Sequence, residues 1–467
     1  MDRPKGKALG MPFCFTGMGM FRAWTETVYA NGTIDFPAQT ATGLGYTVFD
    51  IVAAITLIAM ALLSRRIAPL YGKRWMTPLT GFLMIASASL NFFSLYAPSC
   101  AAAVGLPAVL FGGVGIAFII LLWSELFGCL NPLRVGLYYS GGIVVGSLIL
   151  WLFKGLLVPW LWVCACLVPV ASLACLQRAY RMLPDDERPH AAWGSFSLPW
   201  KPMAVVGLYS FAYGLCEYVF NGMLGINSGL GCVFAAAVVY VGISVKRGEF
   251  RFSSVCKLAC PLLILSLVPF QAFIPFGSEF SSFFALGSYS LCLIVIMVIL
   301  SNLTYRYGMN ALWLFGIERA VRLLSVQAGI FARGMFDHAT PSPLLDVAAA
   351  GIVAVSVIAA TAFLLSERQL SSPWGAVLKG AFSNSELAQE RNRLGTKCHE
   401  LADRFALTQR EEEILLLLAQ RKKPADIERE LFVANSTVKT HTKHIYQKLD
   451  VHSRKELFGL LGIENAG

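Results

Sequence analysis

The amino-acid sequence predicts an all-α protein: a polytopic membrane bundle of about twelve helices, six plus six, followed by a small four-helix domain at the C-terminus. Three observations carry that expectation. Apolar stretches approaching the roughly 20 residues that a helix needs to cross a bilayer recur along residues 1–365. Charged residues make up 14% of the chain and hydrophobic ones 56%, with a mean hydropathy of +0.62, whereas soluble domains average about 25% charged. What charge there is gathers in the breaks between apolar runs and towards the C-terminus, where the apolar residues form short helical stripes instead of long runs.

In chain order, the candidate spans cover 9–29, 44–64, 79–97, 104–126, 133–153 and 156–177, then 202–221, 228–245, 257–276, 281–303, 308–330 and 344–365. A polar break from Arg178 to Lys201 divides them six and six. Lys and Arg accumulate in loops that stay in the cytoplasm. Seventeen of them fall on one side, among them Arg3, Arg65, Lys73, Arg134, Arg188, Lys246 and Arg306, against Lys154 and Arg333 on the other. This asymmetry places both termini in the cytoplasm. The first span is interrupted by Arg22 and Glu26, and an apolar run behind Arg3, Lys5 and Lys7 also suits a secretory signal peptide.

Ionisable groups inside a span cost about 2.5–3.5 kcal/mol on insertion scales, so each calls for an account. Glu125, at the end of the fourth span, is expected to snorkel. Arg22 and Glu26 lie four apart on one helix face, with Trp24 nearby; Glu217 sits at similar depth in the seventh span, and Glu318, Arg319 and Arg322 near the middle of the eleventh. Two accounts stand: internal pairing that locks helices, or a ligand-sensing site built from Arg22, Trp24, Glu26, Glu217 and Arg319.

The layout resembles the major facilitator fold, in which two halves are parallel repeats around a midplane cavity. Glu26-Thr-Val-Tyr-Ala-Asn-Gly in the first span is echoed by Glu217-Tyr-Val-Phe-Asn-Gly in the seventh. The loop SRRIAPLYGKRW resembles the tail of that superfamily's signature, with Gly72, Lys73 and Arg74 matching and Pro69 standing where an acidic residue is expected. That departure leans towards sensing over active transport. The resemblance would bring the first, seventh and eleventh spans, and their charges, to one cavity.

From 366 to 406 the chain turns polar. SSPWG reads as a linker, and Glu386 to Phe405 as a connecting helix with Leu387, Leu394 and Leu401 seven apart. A heptad of that length suits either a short coiled coil between two chains or, as the expected arrangement, packing onto the domain at 407–467.

That domain begins with LTQREEEILLLLAQ, a helix with Ile414, Leu415 and Leu418 inward, and continues with PADIEREL, whose Pro424 is tolerated in a first turn. After the turn FVA, Asn435 to Arg454 places Val438, Ile445 and Leu449 on one stripe and Lys439, Thr440, Lys443, His444 and Gln447 on the other, at about 100° per residue. A short helix with an apolar back and a front of cations and hydrogen-bonding groups suits the DNA major groove. Residues Leu407 to Leu457 resemble the LuxR/NarL-type DNA-binding domain along its whole length, through LTQREEEILLLLA, TVKTHTKHIYQKL and VHSR. The resemblance implies base reading by Lys439, Thr440 and Lys443, and phosphate contacts by Lys448 and Arg454. Arg421 stands where the family usually has Gly, and Ala434 where it has a capping Ser. The cap is therefore expected to shift to Asn435 or Ser436.

Together these features predict a bacterial membrane-anchored transcription regulator with a small-molecule sensor in the membrane; the alternative is an active transporter carrying its own regulator. The expected partners are double-stranded promoter DNA, the lipid bilayer of the inner membrane and an unidentified small molecule, with a homodimer on DNA as one arrangement. No enzyme is expected, nor any cofactor or metal: the cysteines lie in apolar runs without zinc spacing, and phosphate loops and nucleophile elbows are not found. From Lys397 onward, 12 Lys and Arg face 11 Asp and Glu. DNA affinity must therefore come from how the cations cluster, not from net charge.

Overall fold

In the computed structural model the described residues are 12–30, 34–184, 187–189, 197–221, 228–246, 252–266, 277–338, 343–366, 374, 376, 386–431 and 433–463. The chain enters through a 3-10 turn (Phe13–Thr16) into α1 (Met18–Thr25), which loosens into a π turn over Glu26–Ala30. The expected first span is thus broken where Arg22 and Glu26 interrupt its apolar run. A one-turn α2 (Pro37–Thr40) precedes α3 (Tyr46–Ile67), α4 (Met76–Tyr96), α5 (Ala101–Gly128), α6 (Pro132–Phe153) and α7 (Val158–Met182). A second group comprises α8 (Trp200–Asn221), α9 (Ser228–Lys246), α10 (Phe252–Ser266), α11 (Gly277–Tyr307), α12 (Ala311–His338) and α13 (Pro343–Ser366).

Among the described residues, six helices are long and apolar enough to cross a membrane: Tyr46–Ile67, Met76–Tyr96, Pro98–Gly128, Pro132–Phe153, Val158–Met182 and Phe280–Tyr307. This is a multi-pass, all-α membrane domain. Two of the expected spans depart from that criterion for physical reasons: α12 carries Glu318, Arg319, Arg322 and Arg333, and α1 is short and broken.

Close helix contacts rest on glycine, as they do where lipid removes the hydrophobic drive between helices. A Cβ on Gly19 would lie 1.8 Å from the Gly142 carbonyl oxygen, so α1 lies directly against α6. A Cβ on Gly214 would lie 2.2 Å from the Val326 carbonyl oxygen, which sets α8 against α12 in the same way. Glu125 does not snorkel. It is 1% exposed, and its carboxylate accepts from the backbone N–H groups of Leu70 (2.8 Å) and Tyr71 (3.0 Å), anchoring the loop between α3 and α4.

Helix α14 (Glu386–Arg404) leads into α15 (Gln409–Ala419), α16 (Pro424–Leu431), α17 (Asn435–Leu449) and α18 (Arg454–Leu461). Thr408 and Glu411 form a reciprocal capping box on α15, satisfying two backbone donors at once. Leu394, Cys398 and Leu401 are buried, and α14 packs on both α15 and α11. The core of this domain is Ile414, Leu415, Leu418, Ile427, Leu431, Val438, Ile445, Leu449 and Leu457. The expected cap shift on α17 does not occur: Ala434 stays at the cap position without a side-chain bond, while the Asn435 amide donates to Glu428 (3.2 Å). Arg421, the position of the family's glycine, has φ +62°. Only glycine takes that left-handed geometry without steric cost.

Candidate nucleic-acid interface and membrane cavity

Along α17, Val438 and Ile445 are fully buried and Leu449 is 4% exposed, which turns the opposite face to solvent. Lys439, Thr440, Lys443, His444 and Gln447 are all exposed there. Their positions one, four, five and eight residues on from Lys439 bring them to one side of the helix. The other two sequence-predicted contacts are tied into the domain. Lys448 donates through Nζ to Glu411 Oε2 (2.7 Å) and to the Ala406 carbonyl (3.1 Å). Arg454 donates through Nη2 to the Lys422 carbonyl (3.0 Å) and stacks over Phe458, 5.3 Å from the ring centroid.

Glu411, His441 and His444 bring three potential metal-ligand atoms within 4.8 Å of one another. One Glu411 oxygen, however, already accepts from the Thr408 N–H (2.8 Å) and from Lys448. Burial raises the Glu411 carboxyl, but these donors outweigh it and hold the group below the usual range. The cluster fastens α17 to the start of α15.

The opposite side of this domain is docked on the membrane helices. Arg306, 3% exposed at the end of α11, pairs with Glu412 of α15, 1% exposed. Tyr305 donates to Glu430 Oε2 (3.0 Å), Lys422 pairs with Glu187 and with Glu430 Oε1 (3.1 Å), and Arg134 donates to the Arg429 carbonyl (3.2 Å). His399 of α14 lies 3.2 Å from Glu412 through Nδ1, and this hydrogen bond raises its pKa above the ordinary histidine value. Burial lowers the Lys422 ammonium, but its two carboxylate partners outweigh that and raise it.

Between the two groups of membrane helices lies a cavity of about 280 Å³. Phe21, Phe49, Ile116, Ile120 and Leu293 give it apolar walls; Arg22, Glu26, Asp50, Tyr139, Tyr289, Arg319 and Arg322 give it polar ones. Arg22 Nε is 3.3 Å from Glu26 Oε1 and its Nη2 is 3.1 Å from Cys232 Sγ. Asp50, 2% exposed, accepts from the Gln327 amide (2.7 Å). Arg319 is 5% exposed and 3.7 Å from Glu318 Oε2, and neither its Nε nor that of Arg322 has a hydrogen-bond partner among the described residues.

Three of the five residues expected for sensing, Arg22, Glu26 and Arg319, therefore line one cavity. Trp24 does not: it is fully buried against Tyr29, with ring centroids 6.0 Å apart, because two residues along a helix turn it away from Arg22. Glu217 is on α8, but its side chain lies outside the described residues. Sequence reasoning missed Asp50, whose place near the start of a span looks interfacial, and Lys154, which looks like a loop cation and lines the cavity.

Residues 406–461 match the family of bacterial regulatory proteins, luxR family. The C-terminal domain is a LuxR-type helix-turn-helix domain. The LuxR-type region is 49% identical over 51 residues to the transcriptional regulatory protein LiaR of Bacillus subtilis (strain 168), covering 11% of this chain and 24% of that one. It is 42% identical over 64 residues to the uncharacterized response regulatory protein YgeK of Escherichia coli (strain K12), covering 13% and 44%. The chain thus spans less than half the length of these curated relatives. The membrane part is similar in fold to solved transporters of the major facilitator superfamily type. For the human organic anion transporter MFSD10 the TM-score is 0.52 at 14% identity, covering 74% of this chain and 97% of that one. For the proton:xylose symporter XylE the TM-score is 0.52 at 13% identity, covering 76% and 94%. A regulatory LuxR-type domain is therefore fused to a membrane domain of transporter-like fold. Both likenesses are to non-catalytic proteins, consistent with a chain that is not an enzyme.

Proposed function

We propose that this chain is a bacterial transcription regulator of the inner membrane. Its LuxR-type domain binds double-stranded promoter DNA from the cytoplasm, and its transporter-fold domain binds a small molecule. The observation that carries this reading is the position of the LuxR-type domain, which leaves the α17 face in solvent while α15, α16 and their loop contact the membrane helices. Base reading falls to Lys439, Thr440, Lys443, His444 and Gln447. Lys448 and Arg454 reach phosphate only by giving up partners they hold in the domain. The membrane helices are read as twelve spans in two parallel repeats with cytoplasmic termini. The loop charge asymmetry supports this, as does the glycine-mediated contact of α1 with α6 and of α8 with α12.

For the ligand, the cavity favours a small compound with an apolar body and a negatively charged group. Glu26 and Asp50 are already engaged by Arg22 and Gln327, whereas Arg319, 3.7 Å from Glu318, and Arg322 each present a guanidinium Nε without a hydrogen-bond partner among the described residues. A second reading, an active transporter carrying its own regulatory domain, is the better supported by fold likeness alone. One pair of measurements separates them: transcript profiles with and without the chain, and uptake of aromatic carboxylates into vesicles that hold it. Transcript changes without uptake support the sensor. Uptake with no transcript change overturns the regulator. A periplasm-only reporter fused after Gly467 is expected to be silent, and activity there would place the LuxR-type domain on the wrong side for DNA.

A further inference from the structure

We propose that the LuxR-type domain is a latch across the two groups of membrane helices, and that in its docked position it keeps the cavity open on the face remote from it. The proposal needs the transporter fold but neither DNA binding nor the identity of any ligand, so it can fail while the proposed function stands.

The domain is joined to both groups. Glu187, just beyond α7, pairs with Lys422; Lys422 pairs with Glu430; and Glu430 accepts from Tyr305 on α11. One lysine and one glutamate of the domain thus connect the leading helices to the trailing ones. On either side of this chain of contacts, Arg134 at the start of α6 donates to the Arg429 carbonyl, and Arg306 of α11 holds Glu412.

Beneath the dock the two groups touch directly. A Cβ on Gly128, at the end of α5, would lie 2.8 Å from Thr304 Cγ2 and 3.2 Å from Ala311 Cβ. The cavity runs the other way, to Trp151 and Lys154 at the far end of α6 and to Gly229 at the start of α9.

A transporter-fold domain turns its cavity to the opposite face by rocking one half against the other. Here that motion would part Gly128 from Thr304, pull Glu187 away from Tyr305 and strip Arg306 of Glu412. Breaking a buried ion pair strands a charge and is strongly unfavourable. Coupling of this kind is reciprocal: whatever closes the cavity loosens the dock, and a released domain lets the cavity close.

The test uses the full chain in detergent with maleimide labelling read peptide by peptide by mass spectrometry. Native Cys398, fully buried on α14 among Arg306 and Glu412, reports the dock; burial pushes its thiol up to about 12 and keeps it unreactive. A Ser147→Cys substitution on the cavity wall near Lys154 reports the cavity. Glu187→Lys sets a cation against Lys422 without touching the buried pair. The expected result is faster labelling at Cys398 and slower labelling at position 147, each by about fivefold, the effect of losing one partly exposed ion pair. Faster labelling at Cys398 with an unchanged rate at position 147 overturns the latch. If Glu187→Lys leaves Cys398 protected, Arg306→Gln is read in the same way, and continued protection there overturns the proposal too.

Discussion

Lys443 and Lys448 lie five residues apart on α17, yet the structure gives them different work, and substituting each with alanine separates the two roles. Lys443 is exposed on the solvent face. If it reads a base edge, Lys443→Ala should cost about 1–3 kcal/mol of discrimination, roughly 5- to 150-fold, on the operator and little on unrelated DNA. Lys448 is bonded to Glu411 and to the Ala406 carbonyl, with its side chain 36% exposed. Its removal should cost about 1 kcal/mol of domain stability, a value kept low by solvent screening. Once the domain is folded, affinity should be nearly unchanged. The assay is anisotropy titration of the full chain in nanodiscs, at several salt concentrations, against an operator recovered by selecting genomic fragments with that same chain. A Lys448 that met phosphate would instead flatten the slope of log affinity against log salt by about 0.9. Equal losses on operator and unrelated DNA for Lys443→Ala would refute base reading, and a flattened slope for Lys448→Ala would refute its structural assignment.

Thr408→Ala removes the capping box and should lower the stability of the LuxR-type domain by about 0.5–2 kcal/mol, measured as a lower denaturant midpoint with an unchanged spectrum of the folded state. His399 has a raised pKa in the folded domain because it bonds Glu412. Its stabilisation is therefore complete below the ordinary histidine range and lost as pH rises through the raised value. Thermal unfolding of the parent should then show a midpoint that falls as pH rises above the ordinary histidine value of about 6.5, a fall that His399→Gln lacks; identical profiles would count against the bond. Glu26→Gln nearly preserves shape and should abolish the transcriptional response at normal protein level. Less folded protein with an unchanged response per molecule would make the Arg22–Glu26 pair a structural one.

The two sites were legible to different degrees. The exposed face of α17 is plain in the sequence because it is local: Lys439, Thr440, Lys443, His444 and Gln447 follow from helical spacing alone once Val438, Ile445 and Leu449 are taken as the buried stripe. Arg22 and Glu26 share a cavity wall for the same reason, and the same arithmetic, applied strictly, would have turned Trp24 away. Partners distant in sequence were not legible. Arg306 counts as an ordinary loop cation until Glu412 is found beside it, and Glu125 looks like a snorkelling residue until its carboxylate meets the N–H groups of Leu70 and Tyr71. Lys448 and Arg454 carry the charge expected of phosphate contacts, but only coordinates reveal that each is already bonded within the domain. Arg421 departs from the glycine expected at that position, and its φ of +62° supplies the physical reason that glycine is usual there.

The Arg306–Glu412 pair also sets an order of events at the ribosome. Its members are 106 residues apart, so at about 5–20 residues per second the arginine waits roughly 5–20 s before its carboxylate is synthesised. During that interval α11 must settle in the bilayer with Arg306 still hydrated at its end. The dock therefore forms after α11, on membrane helices synthesised before it. A chain whose LuxR-type domain fails to fold leaves Tyr305 and Arg306 uncovered at the end of α11, with the arginine's charge to be met by water instead of Glu412.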